Sequence, residues 1–62
     1  MDAQELKALR ESTGLAQEPF ANLVLGTTGA TFRAWETGQR PIPALKADGI
    51  RAAVAAYLAA QK

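Results

Sequence analysis

The chain has 62 residues, no cysteine, no histidine and a formal net charge of +1. A chain this short makes one domain, residues 1–62, which buries roughly 60% of the surface its unfolded form exposes. Without Cys or His it can form neither disulfides nor the usual zinc fingers, which is compatible with a reducing cytoplasm. The alanine-rich run Ile50 to Ala60 is too short to span a membrane and is interrupted by Arg51. Charge is unevenly placed: Met1 to Leu25 holds four acidic residues against two basic ones, and Gly26 to Lys62 holds five basic against two acidic. The second part therefore favours an anionic partner.

Asp2 to Ser12 reads as the first helix. Asp2 stands at the N-cap position with Glu5 three residues on, the spacing of a capping box. Leu6, Leu9 and Ala3 supply its apolar stripe, Gly14 stops it, and Leu15 folds back behind the stop. Arg10 lies at the edge of the inward face, where a charge needs a partner. Glu36, beside core aromatics, is the expected one, and the pair is read as structural glue.

Gln17 to Val24 reads as a second, short helix with Phe20, Ala21 and Val24 inward. Pro19 falls in its first turn, where a missing N–H has no intrahelical partner to lose. Ala16 is a poor cap, lacking about 1 kcal/mol that Ser or Thr supplies. Gln17 is expected to be exposed at the helix start, where an amide and free N–H groups suit a phosphate.

Gly26 to Gly38 carries the strongest local grammar in the chain. Thr27 or Thr28 caps a helix, and Gly38 followed by Pro41 ends it. Phe32 and Trp35 share its inner face with Glu36 beside them, and Gly29, Ala30, Arg33, Ala34 and Thr37 form the other. That outer face is small and flat, with one long cation at its centre, so it can lie close to a groove. Arg33 is its only long hydrogen-bond donor. The segment from Gln39 to Pro43 is extended, because residues before proline avoid the helical region. A last helix, with Pro43 in its first turn, runs to about Gln61. It turns Ala47, Ile50, Val54, Tyr57, Leu58 and Gln61 to one side, with Gly49 as a point where it can kink.

In combination, Leu6-Lys7-Ala8-Leu9-Arg10, Gly14-Leu15-Ala16-Gln17, Phe20-Ala21, Gly26-Thr27-Thr28, Thr31-Phe32, Trp35-Glu36-Thr37-Gly38 and Arg40-Pro41 resemble the phage repressor and Cro type of helix-turn-helix, the XRE-like family. The resemblance covers most of Leu6 to Pro41. It implies an all-α bundle of four, or five, helices of the lambda-repressor-like kind, with the helix Thr28–Thr37 in the major groove. It places Thr28, Gly29, Ala30, Arg33 and Ala34 at base edges, and Gln17, Thr27, Thr37, Gln39 and Arg40 at backbone phosphates. It also implies pairing of Arg10 with Glu36. Three features depart from the family pattern. One extra residue, Leu25, separates Gln17 from the turn glycine and either lengthens the second helix or loosens the turn. Gly29, Ala30 and Ala34 stand where longer polar readers are common, and Ala16 replaces Ser or Thr.

The expected function is a sequence-specific DNA-binding transcriptional regulator, repressor- or Cro-like or of the antitoxin type, bacterial or phage-encoded and cytoplasmic. Double-stranded DNA is its partner, and it pairs as a homodimer through a candidate surface at Tyr57 and Ala56. The alternative is a protein-interaction module on the same fold, its face turned to a toxin or an RNA polymerase subunit. No enzyme is expected. The chain has no His or Cys to act as base or nucleophile, its carboxylates lack metal-ligand spacing, and Gly26-Thr27-Thr28-Gly29 lacks the Gly-Lys-Ser/Thr ending of a phosphate loop. No cofactor, metal or membrane contact is implied.

Overall fold

The computed structural model describes residues 1–61, and every regular element among them is helical. Helix α1 spans Ala3–Thr13, α2 spans Gln17–Pro19 and continues directly into a π-helical segment Phe20–Leu25, α3 spans Gly29–Glu36 and α4 spans Ala44–Ala60. The body measures 34 × 20 × 18 Å. Among the described residues no helix is long and apolar enough to cross a membrane.

Local chemistry accounts for the boundaries. Asp2 accepts the Glu5 backbone N–H at 2.7 Å and so caps α1, satisfying one of the donors a helix start leaves open. The second half of the expected capping box is not made. Glu5 turns its carboxylate away to Arg51 of α4, whose Nε and Nη2 both lie 2.9 Å from Glu5 Oε2. Thr28, not Thr27, caps α3 by accepting the Thr31 N–H at 3.2 Å. Pro43 stands just ahead of α4 as its N-cap and not inside the first turn.

Leu25 is accommodated inside the second helix. The N–H of Gly26 bonds to the carbonyl of Ala21, five residues back, where an α-helix would reach back four. Thr27 N–H shares the same carbonyl at 3.0 Å. Widening this one turn absorbs a residue without rotating Phe20 and Ala21 off the core, and both remain completely buried. Gly26 then closes the segment at φ 65°, a left-handed conformation that glycine adopts without steric cost.

The core is built from Leu6 of α1, Phe20 and Ala21 of the π segment, Phe32 and Trp35 of α3, and Ile50 and Val54 of α4. Phe20 and Phe32 meet with ring centroids 5.3 Å apart at 57°, a tilted geometry that adds about 0.5–1.5 kcal/mol to their burial. Helix α1 packs on both α3 and α4, and α4 covers the π segment.

Two expectations for α4 are corrected. It runs unbroken through Gly49; the loss of about 1 kcal/mol relative to alanine is outweighed by the alanines around it and by burial of Ala47, Ile50 and Val54. Leu58, read on the same side as Ile50 and Val54, is not part of the core they form. It is 37% exposed, because 17 helical residues extend about 25 Å and the last turn overhangs the body. Gln61 beyond it is exposed as well.

Candidate nucleic-acid interface

Helix α3 is eight residues long and held from behind by its two buried aromatics. Its opposite side offers Ala30, Arg33 and Thr37, all exposed, with Gly29 and Ala34 half-buried at the margins. Thr28 is exposed at the entry, but its hydroxyl is engaged by the cap: it accepts from Thr31 N–H and donates to Thr31 Oγ1 at 3.0 Å. Thr37 Oγ1 donates to the Arg33 carbonyl at 2.8 Å. Both hydroxyls therefore keep acceptor capacity and little freedom to donate. Thr27 is half-buried, its backbone N–H bound to Ala21.

Arg33 projects from this face, and Gln39 and Arg40 follow on an exposed loop tied back by Arg40 N–H to the Ala34 carbonyl at 3.1 Å. The chain has four arginines, and they divide into two kinds. Arg10 and Arg51 are paired with Glu36 and Glu5. Among the described residues Arg33 and Arg40 have no carboxylate partner, and both lie on or just beyond the outer side of α3.

Behind the face a polar frame ties the helices together. Arg10 Nε lies 2.8 Å from Glu36 Oε2, with side chains only 16% and 7% exposed, and Arg10 Nη1 donates to the Leu15 carbonyl at 3.0 Å. The other oxygen, Glu36 Oε1, accepts from Gln17 Nε2 at 2.5 Å. One carboxylate thus links α1, the loop after it, α2 and α3. No buried side-chain polar atom among the described residues is left without a partner. Gln17 is consequently half-buried and turned inward by its amide nitrogen, which corrects the expectation of a freely exposed side chain.

Sequence reasoning missed Glu18. An added Cβ at Gly29 would lie 3.5 Å from Glu18 Cγ, so the stem of this exposed acidic residue passes beside the start of α3. Nothing local in the sequence brings residues 18 and 29 together; the turn geometry does.

A second feature lies on the inner side of α3. A groove of about 430 Å³ runs between the π segment, the following turn and α4, lined by Val24, Leu25, Trp35, Leu45, Gly49 and Ile50. Leu45 at its rim is 92% exposed, and Leu23 in the π segment is 73% exposed. Ala56 is exposed and Tyr57 half-buried farther along α4.

Comparison with protein-family models, curated proteins and solved structures finds no significant match. A small-residue helix face with an unpaired arginine at its centre and a second arginine on the next loop suits a flat or grooved polyanion.

Proposed function

We propose that this chain is a sequence-specific double-stranded DNA-binding transcriptional regulator of the repressor/Cro helix-turn-helix kind, with α3 lying in the major groove. The observation that carries this reading is the division of the arginines. Two are paired with carboxylates, Arg10 in a shielded pair and Arg51 on the surface, and the two without such a partner among the described residues, Arg33 and Arg40, lie on α3 and the loop after it. Arg33 is the base reader, suited to the O6 and N7 edge of guanine. Ala30 and Gly29 permit close approach and contact with thymine methyl groups. Arg40, Gln39 and the second amide hydrogen of Gln17 hold phosphates.

One short helix with one long reader falls short of the ~10⁻⁸ M or tighter affinity of specific regulators. Two copies on a pseudo-palindrome reach it if their third helices stand about one DNA turn apart, roughly 34–36 Å. The exposed end of α4, with Ala56, Tyr57 and the uncovered Leu58, is the surface assigned to that pairing.

The test is a titration of mixed-sequence and selected duplexes at about 50 and 200 mM salt. The reading requires affinity that falls steeply with salt, by about 0.9 in log K per log salt for each phosphate neutralised. Absence of binding at both concentrations would dismiss it. A second reading, a protein-interaction module, is favoured by the groove behind α3, with Lys46 and Thr27 among its apolar side chains, and by the nearly fully exposed Leu45. It requires no duplex binding, together with loss of partner binding in Leu45→Ser.

A further inference from the structure

We infer that Glu36 is a positioning residue for phosphate recognition: through Gln17 it fixes which group the second helix presents to the DNA backbone. The inference rests on the DNA-binding reading above and adds to it a role for a side chain that does not itself reach the nucleic acid.

A glutamine amide has one end that donates and one that accepts, and rotation by half a turn exchanges them. An ionised carboxylate only accepts. With Glu36 Oε1 at 2.5 Å from the Gln17 amide, the nitrogen end must face inward, and the flip is blocked. An amide nitrogen carries two hydrogens, so one is bound to Glu36 and the second remains for an outside acceptor such as a phosphate oxygen. A carboxylate so near a phosphate would ordinarily repel it. Here Arg10 lies 2.8 Å from the other oxygen and cancels that charge. The Arg10–Glu36 pair therefore does more than join α1 to α3. It converts a buried ion pair into a polarity setting for a half-buried side chain at the edge of the interface.

The experiment is a double-mutant cycle on the full chain with Glu36→Gln and Gln17→Ala, read as affinity for a bound duplex at a temperature below the melting transition of every variant. A glutamine at position 36 offers either end to Gln17 and lets it flip, with little change of volume, but it leaves the Arg10 charge without its partner and so lowers stability. Gln17→Ala removes one hydrogen bond of a half-buried side chain and leaves the Arg10–Glu36 pair in place, so it is the milder variant where Glu36→Gln is marginal. The expected result is a loss of about fivefold for each single variant, the scale of one hydrogen bond, with no further loss on combining them. The second readout needs no DNA: the two side-chain amide protons of Gln17 should be widely separated by NMR in the parent and draw together in Glu36→Gln.

Equal losses from Glu36→Gln with and without Gln17 would show that Glu36 acts through the fold alone and overturn the inference, as would a Gln17→Ala variant that binds like the parent. In both cases the parent still binds duplex, and the DNA reading stands. A parent that binds no duplex removes both, even with the amide signature intact.

Discussion

Arg10 and Glu36 meet at 2.8 Å across 26 positions of sequence, with both side chains largely shielded from water. Removing one partner leaves the other charge buried and unpaired, which costs about 3–5 kcal/mol. For a domain of this size each kcal/mol moves the melting temperature by about 4–8 °C. Arg10→Ala is therefore expected to melt far below the parent, and to lose any ligand only in proportion to the unfolded fraction. Thermal denaturation followed by circular dichroism measures this; a melting point within a few degrees of the parent would contradict it.

Arg33→Ala is expected to leave the fold intact, since the side chain is exposed and has no carboxylate partner among the described residues. Selection of preferred sites from random duplex should show one base pair per half-site losing its preference, worth about 1–3 kcal/mol of discrimination. Unchanged site preference would rule Arg33 out as the reader.

Arg40→Ala acts on a different quantity. A phosphate contact contributes equally to every sequence, so binding should weaken uniformly and the slope of log affinity against log salt should shrink by about one. The measurement is the salt series, on two unrelated duplexes. A change of preferred sequence without a change of slope would place Arg40 at a base instead.

Glu18→Gln should do the opposite. The Glu18 side chain passes beside Gly29 at the start of α3 with its stem, and its negative charge is expected to repel a phosphate that approaches there. As an exposed, solvent-screened charge, its removal should tighten all duplexes by about two- to threefold. The same change takes a favourable acid from the first turn of α2 and should lower the melting temperature slightly. Weaker binding in the variant would mean that Glu18 faces an amino group or a protein, not a phosphate.

Deleting Leu23 tests the widened turn. Leu23 is 73% exposed, and without it the second helix can close on ordinary α spacing, with the Gly26 N–H four residues after the Ala21 carbonyl in place of five. The variant is expected to fold and to melt within a few degrees of the parent. An unfolded product would show that the π segment is required by the packing and is not the accommodation of one surplus residue.

Features decided within a few residues were legible in the sequence. Asp2, Gly14, Thr28 and Gly38 mark helix ends through bonds or dihedral angles confined to one turn, and the inward set of α3 followed from the spacing of Phe32 and Trp35. The surplus residue at Leu25 was visible too, but its two outcomes differ by the closure of one hydrogen-bonded ring. That choice depends on keeping Phe20 and Ala21 in the core, a tertiary constraint. Glu5 shows the same limit: local grammar assigns it to Asp2, whereas Arg51, 46 positions away, takes it. Leu58 continues the apolar spacing of Val54, yet periodicity carries no information about where the body beneath the helix ends. At the candidate site, which side chains share a face was readable. The inward turn of Gln17 and the approach of Glu18 to Gly29 were not, because both arise from how α2 is set against α3.

The chain contains one tryptophan, and it is Trp35, 8% exposed, on the inner side of the helix whose outer side carries Arg33. The molecule thus contains an optical probe at the centre of its own packing, with no second indole to confuse the signal. Unfolding moves that ring from hydrocarbon into water and shifts its emission to the red. Docking on the outer face of a helix that stays in place leaves the ring where it was, so the colour holds while added phosphates or bases alter only intensity. Occupation of the groove that Trp35 lines would instead change the ring's own surroundings and its colour with them. One fluorescence titration, without labels, can therefore distinguish a ligand on the front of α3 from a partner at its back.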